Sequence, residues 1–266
     1  MTTISIKKKH EIQKMRIVGQ LVAEVLEMIE QYVVPDVSTG DLDTICYNYI
    51  TNKQKAKPAC LGYNGFPKSV CISVNDVVCH GIPNYQHTLK NGDIVNIDVA
   101  ITKYGYYGDA SKMFFVGKPT PLGKLLCETT QKSLYLSLYI IKPGIYLNEI
   151  GKTIQKYIEK HNFSIVQEYC GHGIGTKFHE DPQILHHNYY DYEKIILTSG
   201  MTFTIEPIVN AGSCKVQCMS DGWTIKTKDN NLSAQYEHTI LVNEEGCEIL
   251  TLQQGEEIPK ILKNYY

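Results

Sequence analysis

The stretch YCGHGIGTKFHEDP, residues 169–182, presents two imidazoles, His172 and His179, seven positions apart, with three glycines around the first. It is no nucleotide loop, because G-x-G-x-x-G would need glycine where Thr176 stands. It is not H-E-x-x-H either, whose histidines sit one helical turn apart and share one zinc. Seven residues span two helical turns, about 10.5 Å along an axis. In a strand the same spacing sends the two rings to opposite faces. Neither regular element lets both rings bind one ion, so two functional histidines here do different jobs.

Acidic residues supply the rest of a candidate site. Asp98 stands inside the apolar run IVNIDVAI and Glu206 inside FTIEPIV, where a lone carboxylate is costly to bury. Asp98 and Asp109 lie eleven apart across VAITKYGYYG. A two-residue turn at positions 103 and 104 predicts a hairpin with Asp98 directly opposite Asp109. Facing buried aspartates need a shared proton or a cation between them. Glu206 and Glu237, the latter in SAQYEHTILV, repeat the arrangement. Four converging carboxylates match the charge of two divalent ions, and His172 on its Gly-rich loop completes a mixed oxygen and nitrogen set.

The elements that must position these groups come from a duplicated chain. VPDVSTGDLDTICYNYI (34–50) resembles KPGIYLNEIGKTIQKYI (142–158) at an offset of 108, pairing Pro35 with Pro143, Leu42 with Ile150 and Tyr49 with Tyr157. The same offset carries NGDIVNID (91–98) onto SGMTFTIE (199–206), so Asp98 matches Glu206. Glu237 matches Asp109 once an insertion of 20 residues within 217–236 is allowed. Two halves follow, roughly 10–117 and 118–250, within one catalytic domain spanning 1–266. Ile12, Met15, Val18, Val22, Val25 and Ile29 recur at helical spacing, and a proline-marked break precedes a second amphipathic helix in each half. Strand pairs Ile94–Thr102 with Gly108–Val116, and Thr202–Asn210 with Ala234–Val242, close the halves. Helices followed by hairpins predict an α+β fold: a pseudo-symmetric antiparallel sheet from both halves, covered by helices and enclosing a central cleft.

Composition narrows the functional classes. The 266 residues are 43% hydrophobic and 20% charged, as in a globular protein, and the net charge of -2 gives no electrostatic reason to expect nucleic acid or an anionic membrane. Lys7, Lys8 and Lys9 read as a solvated helix start or a small docking patch. The N-terminus carries no apolar signal-peptide core, and no run is long enough to span a bilayer. Nine cysteines with no C-x-x-C fit reduced thiols in a cytoplasm, and Cys214 and Cys218 lack the second pair of a zinc knuckle.

The segments VCHGIP, NIDVAITKYGYYGDASKMFFVG, GHGIGTKFHEDP, TIEPIV and SAQYEHTILV resemble, in order and spacing, the type I methionine aminopeptidases of the bacterial type. The resemblance runs from about residue 5 to about 252. It implies the pita-bread fold with two divalent ions (cobalt, manganese, iron or zinc) in the cleft. The implied ligands are Asp98, Asp109, His172, Glu206 and Glu237, with Asp109 and Glu237 bridging. A hydroxide between the ions would attack the carbonyl, Glu206 would carry protons, and His80 and His179 would donate hydrogen bonds to the substrate. Cys60, Tyr63, Phe66, Cys71, Phe178 and Trp223 would line an apolar methionine pocket, with the two thiols a candidate point of oxidation. A monovalent cation near Asn75, Val77 and Ser233 is a further implied feature. The implied role is removal of N-terminal methionine from nascent polypeptides, favouring a small second residue, by a monomer working close to the ribosome. An X-Pro aminopeptidase of the same fold would need a large N-terminal domain, and a metal-free binding module would have lost at least one ligand. This chain retains all five.

Overall fold

The computed structural model describes residues 4–189 and 195–256. Helix α1 (Lys9–Glu30) buries Met15, Val18, Val22, Val25, Leu26 and Ile29 along one stripe, the spacing read from sequence. The Glu11 carboxylate accepts the Lys8 amide at 2.8 Å and so satisfies an orphan donor at the helix start. The Ser38 hydroxyl likewise accepts from the Asp41 amide to start α2 (Thr39–Asn48). Strands β1 (Lys57–Pro58), β2 (Cys71–Val74), β3 (Val77–Cys79), β4 (Ile94–Lys103) and β5 (Tyr106–Phe115) complete the first half.

The second half opens with α3 (Pro121–Tyr139), capped by Thr120 with proline in its first turn, and α4 (Asn148–Lys160). Then come β6 (Ser164–Ile165), β7 (Gly171–Gly173), β8 (Glu180–Ile184), β9 (Thr202–Ile205) and β10 (Ile208–Asn210). Strands β11 (Val216–Cys218), β12 (Ile225–Thr227), β13 (Ser233–Gln235), β14 (Glu237–Val242) and β15 (Cys247–Ile249) follow.

Nine strands form one sheet in the order β1-β4-β5-β14-β9-β7-β8, with β2 also on β4 and β15 also on β14. The halves join where β5 meets β14, pairing Ser111 with Glu237 and Ala110 with His238. Period-two alternation sorts the faces. Val95, Ile97, Val99 and Ile101 pack into the core beneath α1 and α2, while Phe203 and Ile205 pack with α3 and α4. Each such side chain contributes about 1.5–3 kcal/mol on burial. The intervening residues, Asp98 and Thr204 among them, therefore point to the opposite face. This is the pita-bread arrangement that the resemblance implies.

Three expectations need correction. The first hairpin turns at Tyr104 and Gly105, both with positive φ (56° and 77°), as a right-twisted two-residue turn demands. Asp98 consequently faces Ser111 and Asp109 faces Ala100, so the two aspartates share a face diagonally instead of standing directly opposed. In the second half each long strand is broken, between β9 and β10 at Glu206–Pro207 and between β13 and β14 at Tyr236. One register nevertheless runs on both sides, His238 with Ile205 and Gln235 with Ile208, which sets Glu206 opposite Glu237. Lys7, read as a solvated residue, is 5% exposed.

Candidate metal centre and substrate pocket

The strand faces turned away from the helices converge on a cavity of about 270 Å³, lined by all five proposed ligands, both proposed substrate histidines and all six proposed pocket residues. At its floor, ligand atoms of Asp109, His172 and Glu237 lie within 4.8 Å of one another, and all three residues are buried. His172 Nε2 is 3.7 Å from Asp109 Oδ2 and 3.9 Å from Glu206 Oε1. Asp98 joins the group through a hydrogen bond with Asp109.

Local bonding fixes the imidazole. His172 Nδ1–H donates to the Gly173 carbonyl at 2.9 Å, leaving the Nε2 lone pair facing the carboxylates. Burial holds its pKa down at about 4, so the ring is neutral at pH 7 and free to donate its Nε2 lone pair. Gly173 and Gly171 let β7 approach its neighbours this closely, because a Cβ at either would meet backbone oxygen, Asp181 O at 2.2 Å or Thr204 O at 2.3 Å. A single hydroxyl then ties two ligands together. Thr204 Oγ1 accepts the His172 amide at 3.0 Å and donates to Glu206 Oε1 at 2.9 Å. Gln235 Nε2 approaches Glu206 Oε2 at 3.3 Å, and His186 Nε2 accepts the Glu206 amide at 3.1 Å across the strand break.

The electrostatics call for cations. Burial, reinforced by mutual repulsion, pushes Asp98, Glu206 and Glu237 well above the usual carboxylate range. Burial also raises Asp109 to about 7, although its bonds with Asp98 and the Ala110 amide oppose the shift. No lysine or arginine pairs with any of the four among the described residues, and the buried Asp109 Oδ1 has no hydrogen-bond partner. Hard oxygen donors with one neutral imidazole suit divalent first-row metals. The residues present fit such ions.

The cavity walls are apolar and aromatic. Cys60, Phe66, Cys71 and Phe178 pack as one buried cluster with Trp223 beside it. Phe66 and Trp223 meet edge to face with centroids 5.1 Å apart, and Tyr63 does the same with Phe178 at 5.0 Å. His179 stacks on Tyr63 at 5.1 Å and lies 4.0 Å from the His172 ring. His80, just after β3, takes a left-handed conformation (φ 54°), the kind of local strain found at functional sites, and faces Tyr169 and Trp223 edge-on. Burial keeps both neutral at pH 7, with pKa values of about 4 for His80 and about 3 for His179.

The Cys60 thiol is drawn down by its bond with Cys71, yet burial and the nearby aspartates leave it raised. Cys71 is pushed well above the usual thiol range by that same bond and by burial. Both thiols are thereby held protonated at neutral pH. Of the implied monovalent site, the Ser233 amide donates to the Asn75 carbonyl at 2.8 Å, and Val77 begins the adjacent β3. Sequence reasoning passed over Thr204, Gln235, His186, Tyr169, Cys79 and Cys170. Thr204 was accessible, two positions before Glu206 and hence on the same face, whereas His186 reaches the site only through the folded loop.

A cluster of four carboxylates and one imidazole, set beneath an apolar pocket on a doubled α+β sheet, defines a metal-dependent hydrolase. Residues 13–244 match the model of metallopeptidase family M24, and the chain belongs to that family. It is 70% identical over 264 residues to a methionine aminopeptidase of Buchnera aphidicola subsp. Baizongia pistaciae, covering 99% of each chain. The methionine aminopeptidase of Escherichia coli K12 is 61% identical over 261 residues, 98% of each. A crystal structure of methionine aminopeptidase from Rickettsia prowazekii superposes with a TM-score of 0.91 at 47% identity, covering 94% of this chain and all of that one (100%).

Proposed function

We propose that this protein removes the N-terminal methionine from polypeptides by metal-dependent hydrolysis. The observation that carries this reading is the direct contact between the apolar pocket and the ligand cluster within one cavity. An unbranched thioether fits among Cys60, Phe66, Cys71, Phe178 and Trp223, where sulfur–aromatic contacts are each worth about 0.3–1.5 kcal/mol. The scissile carbonyl then falls beside the carboxylates.

Four acidic groups balance two divalent ions, and manganese, iron, cobalt and zinc all suit the donor set. Asp98, Asp109, His172, Glu206 and Glu237 would hold them, and the grouping of Asp109, His172 and Glu237 ligand atoms within 4.8 Å supports this. Such ions supply Lewis acidity and a water acidic enough to ionise near neutral pH. His179 and His80, neutral at pH 7, donate hydrogen bonds to the substrate carbonyl and amide as charge develops. Glu206 Oε2, held among the described residues by the long contact to Gln235 alone, is the oxygen we assign to accept a proton. Tyr63, Tyr169 and His179 line the same cavity, and the bulk of their rings supports a preference for a small second residue. Nine cysteines with no C-x-x-C among them support action on nascent chains in a reducing cytoplasm. Among the described residues no helix is long and apolar enough to cross a membrane.

The test is release of methionine from a Met-Ala-Ser peptide, with Leu-Ala-Ser as control, after chelation and after adding back manganese, cobalt or iron. Metal-restored release of methionine with little leucine is expected. Equal release of both would discard the pocket assignment, and no release under any metal would discard the activity.

A further inference from the structure

Two groups outside the metal cluster meet behind the loop that carries the second histidine. Lys7 lies on the N-terminal arm, which is tied to the sheet by the pairing of Ile6 with Met201 and by the Lys7 amide donating to the Gly200 carbonyl at 2.8 Å. Its ammonium donates to Glu180 Oε2 at 2.6 Å, with the lysine side chain 2% exposed and the glutamate 11%. A lysine this deeply buried is rare unless paired. The other oxygen, Glu180 Oε1, accepts the Lys177 amide at 3.0 Å and the Thr176 hydroxyl at 3.3 Å. One carboxylate thus closes the loop 176–180 on itself and anchors it to a different part of the chain. Burial alone would raise the Glu180 pKa, but these donors outweigh it and hold it below the usual carboxylate range. Gly175 makes room for the pair, because a Cβ there would meet Lys7 Cε at 2.3 Å, Lys7 Nζ at 2.6 Å and Glu180 Oε1 at 2.8 Å.

The residues between these anchors are Phe178, a wall of the pocket, and His179, next to Glu180 and stacked on Tyr63. His179 has no side-chain hydrogen bond of its own among the described residues, so its ring position is set by its loop and by aromatic packing against Tyr63, Phe178 and His172. His172, by contrast, is held by Gly173 and Thr204 and does not depend on the ion pair. We propose that Lys7 and Glu180 are positioning residues for the reaction: the buried ion pair locks the 176–180 loop so that His179 meets the scissile amide. This inference rests on the functional reading above.

The experiment compares Lys7→Met, Gly175→Ala and the double variant Lys7→Met/Glu180→Gln with the wild type. Kinetics on Met-Ala-Ser at saturating manganese are measured beside manganese affinity by calorimetry. The imidazole resonances of the metal-free proteins, assigned with His179→Ala, report ring position without any activity. Displacing a group that aids the transition state costs about tenfold to a hundredfold in rate. The expected result is that loss in kcat, with KM and manganese affinity within about twofold of wild type and a shifted His179 resonance while that of His172 stays put. The double variant leaves no unpaired buried charge, so it folds even where a single variant fails, and it too is expected to be slow. Wild-type kcat in the folded double variant, an unmoved His179 resonance, or losses that follow manganese affinity would each overturn the proposal. A wild type that released no methionine would instead refute the functional reading, and the His179 resonance would still decide whether the ion pair sets the ring.

Discussion

The two halves of the sheet solve the same problem differently. In the first, β4 and β5 run unbroken for ten residues each around a two-residue turn, and backbone register aims Asp98 and Asp109. Neither carboxylate is held by a hydroxyl or amide side chain among the described residues. In the second, both strands break beside their ligand, and Thr204, Gln235 and His186 replace the ladder around Glu206. A ladder fixes direction cheaply but allows no adjustment. Side-chain bonds let one carboxylate sit where a proton can come and go.

The largest break in this comparison comes from the rigid half. Asp109→Asn removes a charge that nothing replaces, and a metal's Lewis acidity is worth several kcal/mol, so methionine release is expected to fall about a thousandfold at fixed manganese. Chelation of the wild type should do the same and be reversed by adding metal back. Calorimetric titration of the variant with manganese checks that the loss is one of metal binding.

A smaller loss tests the adjustable half. Thr204→Val severs the shared hydroxyl between His172 and Glu206 and is expected to weaken manganese binding about 10–100-fold, the usual cost of losing a ligand's supporting partner. Thr204→Ser should stay near wild type. Ser111→Ala, opposite Asp98 in the rigid hairpin, removes a buried hydroxyl that has no partner and should leave affinity unchanged. Equal losses from Thr204→Val and Ser111→Ala would erase the distinction between the halves.

The smallest effect is on stability against pH. In the metal-free protein the carboxylates titrate above their unfolded values of about 4, so the folded state binds the extra protons and loses stability as pH rises, through about 7 for Asp109, with Asp98, Glu206 and Glu237 acting in the same direction. His80, His172 and His179, held down at about 3 to 4, act oppositely, gaining stability up to their unfolded pKa of about 6.5. Above about pH 6.5 only the carboxylate slope remains. The Tm of chelated protein should therefore fall by at least about 2–4 °C between roughly pH 6.5 and 8.5, the shift that 1 kcal/mol produces in a chain of this size. Manganese should flatten the slope, and thermal melts at four pH values with and without metal would show it.

Most of the site was legible because its ligands are acids set in apolar strands and matched in pairs under one offset. Asp98 and Glu206 violate the pattern around them, and that violation is visible without coordinates. The diagonal placement of Asp98 and Asp109 was not, because it hangs on Tyr104 adopting a positive φ that a tyrosine rarely takes. Lys7 hid in a run of three lysines whose neighbours, Lys8 and Lys9, are exposed. Its partner lies 173 positions away, a distance over which local patterning carries no information.

The insertion of the second half is also its most separable part. The chain leaves a small three-stranded sheet, β13-β10-β6, after β10 and returns to it at β13, and the Ala211 amide donates to the Leu232 carbonyl at 2.8 Å, so departure and re-entry are stapled at one point. Between them β12 crosses to pair with β3 of the first half and brings Trp223 to the pocket wall. One wall of the cavity is thereby written on a different stretch of chain from Glu206 and Glu237. A redesigned or transplanted 212–231 segment can change the diet of the pocket while Glu206 and Glu237, outside the staple, keep their places.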